Sequence, residues 1–309
     1  MSIERLIHRR IRLRRPLLTA RGAIAERSVW LVQIGRGWGE AAPLPGFGGE
    51  PPERCAWALE RLQRLGIEPD AETPCARAAV DGARRAEAAA RSGRPLAGRS
   101  GTVALCRLLD DDGEAPPTAP CVKLKSCGDV RRDAERVRRL LARAPQLRVR
   151  LDANGAWSVA DAHLFTKLAA SAVEFVEQPL PDQALEACAA LRRAGLRIAL
   201  DESVRSAADL ARAIALRAAD AVVLKPNWLG GWEPTERLVA MAQLSGLAVI
   251  LSSALGTVIE RLHAAHMALA WNLPGPHGLA TGEWLVEDVG SWNEGVIPDA
   301  PGLGVEVQP

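Results

Sequence analysis

Three acidic residues, Asp152, Glu177 and Asp201, each close an apolar strand-like run, at intervals of 25 and 24 residues. That interval is the length of one strand plus one helix. Successive strands of a single parallel sheet would therefore deliver one carboxylate each to the same sheet end. Lysines stand at the same interval on both sides: Lys125 lies 27 residues before Asp152, and Lys225 lies 24 after Asp201. Five consecutive units thus end in Lys, Asp, Glu, Asp and Lys. A sheet that keeps repeating strand then helix, with its functional side chains at the C-terminal strand ends, is most economically a closed (β/α)7β TIM-like barrel.

The strand pattern supports that count. Runs at Thr102 to Cys106, Cys121 to Lys125, Leu147 to Asp152, Ala172 to Glu177, Arg197 to Asp201, Ala221 to Lys225, Ala248 to Ser252 and a short one near Gly278 make eight strands. Helix starts with capping pairs fall between them, Ser158 with Asp161 and Ser206 with Asp209, and Gly195 and Gly246 serve as stops. Residues 1–98 read differently. Strands at Ile11 to Ala20 and Ser28 to Ile34, turning through Arg21-Gly22, precede a Gly/Pro-rich stretch from Gly35 to Pro52. Two helices follow, the second starting at Thr73-Pro74, running to Ala90 and ending near Gly93. The expected organisation is an N-terminal α+β capping domain (1–98, joined by 285–309) on a barrel domain (99–284).

Size and charge narrow the function. At 309 residues, 48% apolar and 25% charged, the chain can bury a large core. Its 39 basic and 37 acidic residues are interspersed, which argues against a nucleic-acid surface or a polybasic membrane anchor; the arginines at 9–15 and 131–143 read as solvated faces. No apolar run reaches the roughly 18 residues of a membrane span. Six cysteines without a C-x-x-C pair read as free thiols, and the expected location is cytoplasmic. His163, His263 and His266 fall within helices and read as satisfied structural residues.

Alternation along a strand sets Lys123 beside Lys125 and Arg150 beside Asp152 on one face, so all four are expected in the same pocket. Three carboxylates without His or Cys form a hard oxygen site that favours Mg2+ or Mn2+. Such an ion, with three protein ligands, could polarise a substrate carboxylate, while a nearby lysine freed of its proton abstracts the α-hydrogen. The implied partner is a small carboxylate. Oligomeric state is left open.

The segments K-x-K at Lys123 to Lys125, R-x-D-x-N at Arg150 to Asn154, E-Q-P at Glu177 to Pro179, D-E-S at Asp201 to Ser203 and K-P at Lys225 to Pro226 together resemble the enolase superfamily, muconate-lactonizing subgroup. The likeness extends from Thr19 to about Gly278 and includes Gly37 to Phe47 and Ser252 to Gly256. It implies Mg2+ on Asp152, Glu177 and Asp201. It also implies syn dehydration of a succinyl-hydroxycyclohexadiene carboxylate to an aromatic succinylbenzoate in menaquinone biosynthesis. Lys125 would be the base and then the acid, Lys225 a stabilising cation, and Lys123, Arg150 and Asn154 would serve the substrate. Thr19, Gly22, Ser252, Ser253 and Gly256 would lie around it. Gly48-Gly49 and Ala280 depart from the usual pattern, the first in a loop expected to close over substrate. The same scaffold also serves racemases or epimerases of N-acylated amino acids or dipeptides, and cycloisomerases. A dipeptide epimerase would carry an acidic D-x-D near the eighth strand, and residues 278–281 hold none. A barrel kept only as a binding protein would have lost a ligand or a lysine, and none is missing.

Overall fold

The computed structural model describes residues 2–19, 22–109 and 119–309. The chain opens with a three-stranded antiparallel sheet, β1 (Arg5–Thr19), β2 (Gly22–Ile34) and β3 (Gly37–Ala41). Thr19 pairs with Gly22 across the turn, where Arg21 lies outside the described residues. β3 falls inside the stretch expected to be Gly/Pro-rich loop. Its glycines exist for packing: a Cβ on Gly39 would stand 1.9 Å from the Ala79 carbonyl oxygen, and one on Gly37 would stand 2.1 Å from that of Ala83. Both carbonyls belong to α2 (Pro74–Arg91), which follows α1 (Pro52–Leu65) and lies directly on the sheet. α2 runs within a residue of its expected span, with Thr73 before Pro74 at its start.

β4 (Gly101–Thr102) is not part of the barrel, contrary to expectation. It pairs antiparallel with β13 (Val296–Ile297) near the C-terminus, and the first barrel strand is β5 (Leu105–Leu109). The barrel continues through β6 (Cys121–Lys125), β7 (Arg148–Asp152), β8 (Phe175–Glu177), β9 (Ile198–Leu200), β10 (Ala221–Leu224), β11 (Ala248–Leu251) and β12 (His277–Ala280). Neighbours are parallel throughout. β12 pairs with β5, and a parallel bridge from Ser252 to Gly278 joins β11 to β12, so the eight strands close on themselves.

The intervening helices are α3 (Val130–Arg143), α4 (Val159–Ala169), α5 (Leu185–Arg193), α6 (Ala207–Leu216), the short α7 (Pro226–Leu229) with α8 (Trp232–Leu244), and α9 (Val258–Ala270). Ser158 and Asp161 form the expected capping box on α4, and Ser206 caps α6 through the Asp209 N–H. Between β5 and β6 no helix occurs among the described residues. The outer helices bury their apolar faces on the strands, while Phe175, Ala199, Ala221, Val223 and Ile250 fill the barrel's inside. After Trp284 the chain returns to the first sheet: Leu285 bridges Leu13, and the Val286 N–H donates to the Arg12 carbonyl. Among the described residues no helix is long and apolar enough to cross a membrane.

Candidate active site

Strand register builds the site. Lys125 pairs with Asp152 and Asp152 with Glu177, so three functional residues stand level at the ends of β6, β7 and β8. Glu177 pairs with Ala199, which puts Asp201 two residues further along the same face of β9. Lys225 follows β10 directly, held there because Pro226 begins α7. All five side chains line one cavity at the C-terminal ends of the strands, together with Lys123.

Within it the ammonium groups already grip the carboxylates. Lys123 Nζ lies 2.9 Å from both Asp152 Oδ2 and Glu177 Oε1; Lys125 Nζ lies 2.7 Å from Asp152 Oδ2 and 2.8 Å from Asn154 Oδ1; Lys225 donates to Asp201 Oδ2. Burial opposes charge on Asp152, yet Lys123 and Lys125 outweigh it and hold its carboxyl well below the usual range. Glu177 goes the other way, pushed up to about 7 by burial and by the charge of Asp152. Burial likewise raises Asp201, in spite of Lys225. The expected convergence of three carboxylates takes a modified form, because Lys123 spans two of them and Lys225 draws off the third. Among the described residues no three acidic, His or Cys side chains are gathered as a metal-ligand cluster. The donor set nevertheless fits a hard divalent cation: three buried carboxylates share one cavity wall, and two of them are pushed toward protonation by burial and by neighbouring negative charge.

Supporting residues explain the flanking sequence. Asn154 accepts from Lys125 and donates through Nδ2 to Glu202 Oε1 at 3.1 Å, so it positions the lysine. Gln178 Oε1 accepts from the N–H groups of Asp201 and Ser203, fixing the end of β9. Both Asn154 and Gln178 adopt positive φ, 45° and 40°, a conformation Asn tolerates better than most residues. Arg136 departs from the expected solvated face. It is buried and donates to the carbonyl of Lys125 at 2.9 Å, bracing that strand end from α3. Arg150 lines the cavity but does not reach the carboxylate trio. It donates to Glu174 and to the Pro276 carbonyl, both at 2.7 Å, and forms part of the barrel floor.

The remaining wall comes from both ends of the chain. Leu17, Thr19, Ile24, Leu44 and Phe47 cover the cavity from the N-terminal sheet and its loop, opposite Ser252, Ser253, Leu255 and Thr281. Ser253 shares a 2.9 Å hydrogen bond with Thr281, tying the loop after β11 to the end of β12. Gly22 and Gly256, expected near substrate, are not cavity residues. Gly256 is small for another reason: a Cβ there would stand 2.7 Å from Glu40 Oε1. Glu40, reaching across from β3, accepts from the Thr257 N–H at 3.0 Å, from its hydroxyl, and from the Glu260 N–H at 3.2 Å, and so caps α9. Sequence reasoning also passed over Trp228, whose ring lies 4.8 Å from Lys225 Nζ and whose indole N–H donates to the Ala42 carbonyl. A Trp three residues after a functional lysine, on so short a helix, was the available signal.

A barrel with this ladder of side chains defines a class, and comparison with known proteins agrees with it. The family model described as Enolase C-terminal domain-like matches residues 103–309, and the chain belongs to the enolase superfamily. The dipeptide epimerase of Methylococcus capsulatus, solved with Mg and a dipeptide, superimposes with a TM-score of 0.82 at 27% identity over 99% of both chains. Two relatives named o-succinylbenzoate synthase are similar over most of their length. That of Klebsiella pneumoniae is 32% identical over 85% of this chain and 84% of its own; that of Thermobifida fusca is 36% identical over 89% and 80%. Within the superfamily, the chain is a member of that synthase family.

Proposed function

We propose that this protein is a Mg2+-dependent carbon–oxygen lyase that dehydrates a succinyl-hydroxycyclohexadiene carboxylate to o-succinylbenzoate, in the cytoplasm, as a step of menaquinone biosynthesis. The observation that carries the reading is the placement of Lys125 and Lys225, four strands apart in the barrel, facing one cavity across Asp152, Glu177 and Asp201. Those three carboxylates would hold Mg2+, with Mn2+ the alternative, and the ion would supply positive charge to the substrate carboxylate as its α-carbon loses a proton. Lys125, in its amine form, removes that proton. The C–O bond on the same ring face then breaks, and the hydroxyl departs as water with the proton Lys125 has taken, leaving an aromatic ring. Lys225 keeps its charge, held between Asp201 and Trp228, and stabilises the enediolate. Lys123 holds Asp152 and Glu177 in place, and Asn154 orients Lys125. Apolar cover from Leu17, Ile24, Leu44 and Phe47 suits a carbocyclic substrate and excludes water.

The test is direct. With Mg2+ and the cyclohexadiene substrate, the ultraviolet absorbance of the diene falls; Lys125→Arg abolishes turnover, and Lys225→Arg lowers it by a factor on the order of a thousand or more. Solvent-proton exchange on N-succinyl amino acids or dipeptides, with no loss of diene absorbance, would transfer the assignment to an epimerase. The absence of both activities would refute an enzymatic role for the lysine pair. Against the epimerase reading stands the end of β12, where Gly278 and Thr281 line the cavity and residues 278–281 hold no acidic side chain to bind a substrate amine.

A further inference from the structure

Below the carboxylates, the barrel floor holds chemistry that the dehydration does not use. Cys106 on β5 and Cys121 on β6 stand side by side, since Arg107 pairs with Val122 one residue further on. Both face the barrel interior, on the same face as Leu108 and Lys123 respectively. Their sulfurs are 3.1 Å apart, and both residues are buried. Two features separate this pair from the other thiols. Cys106 lines the active-site cavity, so a small solute that enters the cavity reaches its sulfur, with the Cys121 sulfur in contact just behind it. Arg150 lies beneath it with one terminal nitrogen, Nη2, buried and without a hydrogen-bond partner. That guanidinium is ion-paired with Glu174 through Nε, and its positive charge beside the sulfurs still favours a thiolate at either of them. The hydrogen bond shared with Cys106 lowers the Cys121 thiol below its ordinary value, helped by Arg150 and opposed by burial and by Glu174, while burial raises Cys106.

We propose that Cys106 and Cys121 form a reversible redox site, oxidised to a disulfide by a small hydroperoxide that enters through the substrate cavity. The Cys121 sulfur attacks the peroxide, whose O–O bond breaks and releases one water (or alcohol), leaving a sulfenic acid on Cys121. The Cys106 sulfur then displaces the hydroxyl, which leaves as water. Two thiols have lost two electrons and two protons, and the peroxide has been reduced. A dithiol restores the pair by exchange through a mixed disulfide. The reaction takes place two residues below Lys123 on the same strand.

Cys127 is exposed, and Cys55, Cys75 and Cys188 are buried, so the other cysteines provide internal controls. Reduced Cys127→Ser protein is treated with hydrogen peroxide, free thiols are blocked with iodoacetamide, and the product is read by intact mass and non-reducing peptide mapping. The expected result is a product carrying two fewer carbamidomethyl groups than the reduced, blocked control and a Cys106–Cys121 linked peptide, formed at least about tenfold faster than any change at Cys55, Cys75 or Cys188 and reversed by dithiothreitol. In Cys106→Ala, whose folding is checked by circular dichroism, Cys121 is expected to stop at the sulfenic acid and to be trapped by dimedone. Oxidation that adds oxygen to either cysteine of the parent without linking them, or that proceeds no faster than at the buried controls, would overturn the proposal. Each readout is independent of the dehydration assay.

Discussion

Removing the Glu40 carboxylate should cost more stability than its distance from the chemistry suggests. The side chain is 2% exposed and accepts from three donors at the start of α9: the Thr257 N–H, the Thr257 hydroxyl and the Glu260 N–H. Hydrogen bonds to a charged group each contribute about 1.5–3 kcal/mol, and a buried donor left unpaired costs about 1–3 kcal/mol. Burial itself disfavours the Glu40 charge and pushes its pKa up, which offsets part of that sum. The net expectation for Glu40→Ala is a loss of roughly 3–5 kcal/mol, in the range found when one partner of a buried charged pair is removed. Arg27 adds to it, because it is buried close to Glu40 and would lose the attraction of that carboxylate while keeping its bonds to the carbonyls of Pro43 and Ala254. Glu40→Gln retains an acceptor for Thr257 but turns an amide toward one of the donors, so about half of the loss should remain. Urea unfolding followed by tryptophan fluorescence measures the effect, compared at midpoints with the slope unchanged. Gly256→Ala, which drives a methyl toward the same carboxylate, should destabilise in parallel. A Glu40→Ala midpoint shift worth less than about 1 kcal/mol would refute the view that this carboxylate fastens the first sheet to the barrel.

Two further outcomes concern Glu260, beside Glu40, and Gly39, where α2 packs on β3. Glu260 is pushed up to about 7 from 4.5, by burial and then by the charge of Glu40, so the folded protein keeps a proton that the unfolded chain has already released. Its contribution to stability is complete below pH 4.5 and is lost as pH rises to about 7. Glu260→Gln should therefore gain stability relative to the parent across that window, by on the order of 3 kcal/mol at its upper end, and denaturation curves that stay parallel with pH would contradict this. Gly39→Ala would set a Cβ 1.9 Å from the Ala79 carbonyl oxygen, a contact with helix backbone that cannot turn aside. The expected loss is about 3 kcal/mol or more, and a thermal midpoint within a degree or two of the parent would show that α2 does not pack on β3 as described.

How far the sequence could be read depended on the range of the interaction behind each feature. The five-residue ladder was legible because a parallel sheet repeats one unit, and register then places Asp152 beside Glu177 without knowledge of anything else in the molecule. The helix starts at Ser158 and Ser206 were legible because a cap is a contact across three residues. β3 was hidden in glycines because their purpose is the approach of α2, roughly 40 residues later, and a local pattern records only that they are unfavourable in a strand. Thr102 reads locally as a barrel strand because its true partner, Val296, lies near the other end of the chain. Gly256 illustrates the limit most clearly. The family resemblance sets this glycine near the substrate with Ser252 and Ser253; in the fold it is the space required by a carboxylate 216 residues earlier. The same contact gives that glycine a route to the chemistry. Glu40 fixes Thr257, Thr257 starts α9, and the loop just before it carries Ser252, Ser253 and Leu255 into the cavity. A residue outside the cavity can therefore set the shape of its wall, and Glu40→Ala should raise KM for the proposed diene substrate more than it lowers kcat, because the lysines and carboxylates stand on strands that the cap does not touch.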